Sequence, residues 1–171
     1  LMSTAFIALG SNLCNPVSQV EKALYSIEAH DAITLEKVSA FYESLAVGPG
    51  VQGNYCNAVA KITTLLSAQK LLEALQKVEK HQGRQRGKKW AARTLDLDIL
   101  MYDELVITRG KLLLPHPRMH QRAFVLKPLS DLLTKNFIIN NESIASLLEK
   151  CKDQSKVKYI RRYELKTRRS F

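Results

Sequence analysis

Apolar and polar positions along the chain fall into two periods, and the switches between them outline the fold. "TAFIALG" (4–10) reads as a buried strand closed by Gly10. Asn15-Pro16 is a helix start, a capping side chain followed by proline at the first helical position. Val17, Val20, Leu24 and Ile27 then share one helical stripe. Residues 34–43 read as one second strand and "YCNAVAKITT" (55–64) as a third, separated by an irregular loop holding Gly48, Pro49, Gly50 and Gly53. Ser67 predicts the cap of a second helix, whose stripe of Leu71, Leu72, Leu75 and Val78 runs until Gly83. A fourth strand, "RTLDLDILMYD" (93–103), follows. Strand, helix, strand, strand, helix, strand is the split βαβ order of an α+β, ferredoxin-like fold, an antiparallel sheet with both helices on one face. Beyond it the pattern predicts a short strand near 106–108, an apolar segment at 123–133 and a helix at 143–151.

The fourth strand breaks the expected pattern. Alternation puts Leu95, Leu97, Ile99 and Met101 on one face and Thr94, Asp96, Asp98 and Leu100 on the other. The two carboxylates are then neighbours about 6.7 Å apart along the strand. At an effective dielectric of about 20 their repulsion is roughly 2.5 kcal/mol. Strand interiors also disfavour aspartate. A pair kept at that cost points to cations.

Charge changes the picture in two places only. The 171 residues carry a net charge of +10. Residues 150–171 hold nine Lys/Arg against Asp153 and Glu164, a surplus of seven, which leaves +3 for the rest. Within that remainder Arg84, Arg86, Lys88, Lys89 and Arg93 form a basic loop with no acid, leading directly into the aspartate strand. Hydrophobic content of 46% and charged content of 25% are those of a globular protein. No apolar run approaches the roughly 18 residues of a membrane helix. Cys14, Cys56 and Cys151 have no CxxC spacing, which excludes a disulfide framework or cysteine zinc site and fits a reducing cytoplasm.

Two carboxylates at this spacing can hold one or two Mg²⁺, which take carboxylates and substrate phosphates as ligands. The neighbouring arginines would meet the remaining phosphate charge. His116 and His120 are four apart, but Pro115 and Pro117 bracket the first and no HExxH glutamate is present, which argues against zinc. "PHPRMHQRAF" (115–124) reads instead as a turn presenting His116 and Arg122. Tyr55, Trp90 and Phe124 are either core aromatics or a clamp for a flat heterocycle.

Taken together, "GSN" (10–12), "FYES" (41–44), "NYCNAV" (54–59), "EKHQGRQR" (79–86), "KWAARTLDLDIL" (89–100) and "LPHPRMHQRAFVLKPL" (114–129) resemble the motifs of 6-hydroxymethyl-7,8-dihydropterin pyrophosphokinase, over roughly residues 4–150. The resemblance implies a monomeric enzyme of folate biosynthesis that transfers pyrophosphate from ATP to the pterin hydroxymethyl group and releases AMP. It implies that Asp96 and Asp98 bind two Mg²⁺ and that Arg84 and Arg93 assist transfer. Gln76, Glu79, Arg86, Ile99, His116 and Arg122 match the nucleotide site. Ser44, Leu45, Val47, Tyr55, Asn57, Trp90 and Phe124 match the pterin pocket, with Ser44 and Leu45 standing where the family has Thr and Pro. Residues 1–152 then form the pyrophosphokinase domain and 153–171 a basic C-terminal extension. Val157, Tyr159, Ile160, Tyr163 and Leu165 predict that part of the extension packs on the body, yet truncation after Gln154 is expected to leave turnover within a few-fold. The loops at 45–54 and 84–93 are expected to close over the substrates. The alternative is an RNA-binding module, since ferredoxin-like sheets also bind nucleic acid; it would need aromatics where Asp96 and Asp98 stand.

Overall fold

The computed structural model describes residues 1–45, 53–83 and 95–165. In chain order these form β1 (Ser3–Ser11), α1 (Pro16–Glu28), β2 (Ile33–Val38), β3 (Phe41–Ser44), β4 (Tyr55–Thr64), α2 (Ala68–His81), β5 (Asp96–Tyr102), α3 (Ala123–Ser130), β6 (Ile138–Ile139), β7 (Glu142–Ser143), α4 (Ile144–Lys150) and β8 (Lys158–Arg161). The main sheet runs β5-β1-β4-β3-β8, with β2 also on β4, and every pairing is antiparallel. That is the ferredoxin-like arrangement extended by one strand from the C-terminal segment.

Local chemistry sets the helix ends as the caps predict. Asn15 accepts the Ser18 amide through its side chain at 3.4 Å, and Ser67 accepts that of Lys70 at 3.2 Å. Gly83 adopts φ +88° just past α2, where a side chain would be strained. Val20, Leu24 and Ile27 of α1 and Leu71 and Leu75 of α2 pack with Ile7, Leu9 and Ile62 in a core on one face of the sheet. The other face is covered by α3 and α4, with Leu126, Leu129 and Ile144 against Val59 and Leu100. The molecule is thus three layers deep, because the apolar segment after residue 122 folds back over the face that α1 and α2 leave open.

Three details differ from the sequence pattern. Residues 34–43 are two strands, not one. At the break Ser39 turns its hydroxyl into the ladder and accepts the Val59 amide at 2.9 Å, while the Ala40 amide donates to Asp131 at 3.0 Å. The chain bends there because side chains replace main-chain partners. Met101 also changes face. The register shifts between Phe6 and Ile7, so Leu100 is the extra residue of a bulge; Met101 then packs with the α3 and α4 core and Tyr102 with the other. The strand expected near 106–108 is a single bridge between Ile107 and Leu114.

Candidate active site

The ladders assemble one open floor on the α3 side of the sheet. Gly10 of β1 lies opposite Asp96 of β5 and Asn57 of β4, and Ala8 lies opposite Asp98 and Val59. Only small residues therefore separate the carboxylates from Asn57. A Cβ at Gly10 would stand 3.5 Å from Asn57 Oδ1 and 3.8 Å from the Tyr55 ring, filling the space between them. The floor opens into a cavity of about 370 Å³ lined by Asp96, Asp98, His116, Arg122, Phe124, Ser44, Leu45, Tyr55 and Asn57, with Ala8, Gly10, Leu100 and Val125 among its other walls.

Each wall is held by a different element. Asn57 donates its amide to Ser44 Oγ at 2.7 Å in a buried contact, which leaves Oδ1 over the Gly10 floor. Arg122, at the start of α3, lies 5.6 Å from the centroid of the Phe124 ring. The His116 amide donates to the Leu100 carbonyl at 2.8 Å, and its Nδ1 accepts the Arg118 amide at 3.2 Å. Burial, then the Arg122 and Arg118 charges, lower the His116 pKa, while Asp96 opposes them. His116 thus stands as a neutral imidazole within the field of both Asp96 and Arg122.

Gln76, Glu79 and Ile99 are not among the cavity's walls. Ile99 belongs to the core beneath α1 and α2. Glu79 is 3% exposed and accepts the Leu97 amide at 3.1 Å, tying α2 to the residue between the two aspartates. Val47, Arg84, Arg86, Trp90 and Arg93, and with them most of the loops at 45–54 and 84–93, lie outside the described residues. His120 does not join His116: its Nδ1 stands 3.4 Å from the Asn140 side chain. Among the described residues no group of three or more His, Cys, Asp or Glu could hold a metal. The aspartate pair alone suits an ion that completes its shell with phosphate oxygens and water. Sequence reasoning missed Ala8 and Gly10; their signal was two small residues at alternate positions of a strand otherwise rich in large ones.

The family model for 7,8-dihydro-6-hydroxymethylpterin-pyrophosphokinase matches residues 6–134. This chain belongs to that family. The family's 2-amino-4-hydroxy-6-hydroxymethyldihydropteridine pyrophosphokinase from Haemophilus influenzae is 45% identical over 157 residues, covering 92% of this chain and 98% of the relative. The Pseudomonas aeruginosa enzyme of the same name is 40% identical over 151 residues, covering 88% and 93%. Among solved structures, the Plasmodium falciparum HPPK-DHPS protein A437G/K540E, with pterin and p-hydroxybenzoate, superimposes with a TM-score of 0.70 at 14% identity. It is similar over 88% of this chain and 43% of its own, a likeness of fold. The RNA-binding alternative has no support, and in this chain the cavity face carries Asp96 and Asp98 where it would need aromatics. No helix among the described residues is long and apolar enough to cross a membrane.

Proposed function

We infer that this chain transfers pyrophosphate from ATP to the hydroxymethyl group of 6-hydroxymethyl-7,8-dihydropterin, in folate biosynthesis, releasing AMP. The observation that carries the reading is a single cavity with two unlike ends. At one end are two carboxylates within the field of His116; at the other, the oriented amide of Asn57 stands with Tyr55 around Gly10, and Arg122 and Phe124, stacked on each other, line the same cavity.

The first end suits a polyphosphate. Asp96 and Asp98 would hold two Mg²⁺, which when bound neutralise phosphate charge and polarise the phosphorus. Arg122 places a permanent cation on that cavity, and Arg84, Arg86 and Arg93 are assigned to the phosphates by the family resemblance. His116, kept neutral by burial and by the neighbouring guanidiniums, can accept or donate one hydrogen bond without adding charge. Gln76, Glu79 and Ile99 complete the nucleotide side in this reading, Glu79 by fixing β5. The second end suits a flat, hydrogen-bonding ring. Asn57 Oδ1 would accept from ring N–H groups, its orientation fixed by the one amide N–H that Ser44 Oγ accepts. In this reading Tyr55 and Phe124 would stack on the ring faces and Leu45 would line the wall, with Trp90 and Val47 carried to the same pocket by the family resemblance alone.

With the ring so held, the hydroxymethyl oxygen attacks the β-phosphorus; the new O–P bond forms as the bond to the α-phosphate oxygen breaks. AMP leaves with the bonding pair and the hydroxyl proton passes to solvent. We place the protein in the cytoplasm as a monomer, with no specific nucleic-acid or membrane partner. Incubation with ATP, Mg²⁺ and the pterin tests the reaction: AMP is expected in step with pterin consumption. Stoichiometric ADP would overturn it in favour of an ordinary kinase.

A further inference from the structure

We propose that the C-terminal strand β8 is a positioning element for the pterin end of the cavity, acting through β3. It rests on the reading above of Ser44 and Asn57 as pterin-side residues. β3 has only four residues, and beyond the Ser39–Ala40 break it is an edge unless something covers it. β8 does so, pairing Arg161 with Phe41, Tyr159 with Tyr42 and Lys158 with Glu43. The tail then grips both faces of the strand. On the helix side Tyr163 stacks on Phe41 at 5.7 Å between centroids, and Arg161 lies 5.4 Å over the same ring while pairing with Glu21 of α1. On the cavity side Tyr159 meets Tyr42 edge-on at 6.2 Å. The segment leading in is anchored too: Val157 is buried, and Lys127 of α3 donates to its carbonyl at 2.9 Å.

The consequence falls two residues along. Ser44 ends β3, pairs with Tyr55 in the ladder, and receives the amide of Asn57. A strand slip or fraying at Phe41–Tyr42 would move the Ser44 hydroxyl, free the Asn57 amide to rotate, and loosen Tyr55. The carboxylates sit on β5 at the far side of the sheet, with β1 and β4 between. Loss of the tail's grip should therefore weaken pterin binding and spare ATP. That reverses the expectation that truncation after Gln154 is nearly silent.

The test uses the full chain. In Tyr159→Ala/Tyr163→Ala, the pterin KM should rise about five-fold or more, as for loss of one oriented hydrogen bond, while the KM for ATP and the affinity for a non-hydrolysable ATP analogue stay within about two-fold. Tyr163→Phe, which keeps the ring stack, should restore the pterin KM when combined with native Tyr159. Arg162→Ala, in the same basic segment, should change neither constant. Tyr159 is 58% exposed, so Tyr159→Ala alone serves if the double variant fails to fold. A pterin KM within about two-fold of the native value in a folded variant, or equal rises for both substrates, would overturn the proposal. AMP formation by the native chain, and a raised pterin KM in Asn57→Ala, test the underlying reading separately.

Discussion

Asp96 and Asp98 face one cavity from alternate positions of β5, each opposite a small residue of β1. Their charges cost the metal-free protein at most about 2.5 kcal/mol. Asp96→Ala or Asp98→Ala is therefore expected to abolish turnover while leaving unfolding of the metal-free protein unchanged or slightly harder. Urea titration of chelator-treated protein checks this, and unfolding on either substitution would make the pair structural. His116 carries a second prediction. Its pKa is lowered by burial and by Arg122 and Arg118, so the folded state holds its proton less tightly than the unfolded chain. Stability tied to the neutral ring is present above the unfolded value of about 6.5 and falls as pH drops through it toward the lower folded value. Acidification from pH 7 to pH 5 should destabilise the native protein more than His116→Gln, measured by thermal melts at both pH values.

Two contacts between elements hold the carboxylate strand where it is. The Leu97 amide, between the aspartates, donates to the buried Glu79 of α2, and the Leu100 carbonyl accepts from His116. Glu79→Ala would leave a buried N–H without that acceptor, at a cost of about 1 to 3 kcal/mol. Glu79→Gln retains an acceptor oxygen and should cost less, with denaturant midpoints giving the comparison. The resemblance names Glu79 as a nucleotide residue, and its spacing on α2 carries no hint of the tether. That partner became visible only when α2 packed beside β5.

At the scale of the whole molecule, the described sheet edges carry features that disfavour pairing with a second copy. β5 spends the Leu97 amide and the Leu100 carbonyl on Glu79 and His116. β2 presents Glu36 and Lys37 at a register shift, and β8 exposes Lys158 and Arg161. Charged, bulged or occupied edges resist strand-to-strand association. Light scattering is expected to give the mass of a single chain across micromolar concentrations, and a stable dimer would show that another surface associates.

Much of this protein was legible before folding. Backbone periods of 2 and 3.6 depend on neighbouring residues alone, so β1, α1, β4, α2 and β5 and the caps at Asn15 and Ser67 follow from local sequence. The aspartate pair declared itself the same way, as a local violation of strand chemistry. The tertiary structure decided what depends on partners distant in sequence. Ser39 breaks a strand because Val59 offers its amide across the ladder; Met101 changes face because β1 and β5 pair with a bulge. Ala8 and Gly10 become a site floor because registers on both sides set them between Asp98, Asp96 and Asn57. In the C-terminal segment, basic and outside every motif, the apolar residues from Val157 to Leu165 predict packing on the body, but only the fold shows that Tyr159, Arg161 and Tyr163 meet Phe41 and Tyr42. Periodicity determines which face a residue can take, and only long-range pairing determines what that face meets.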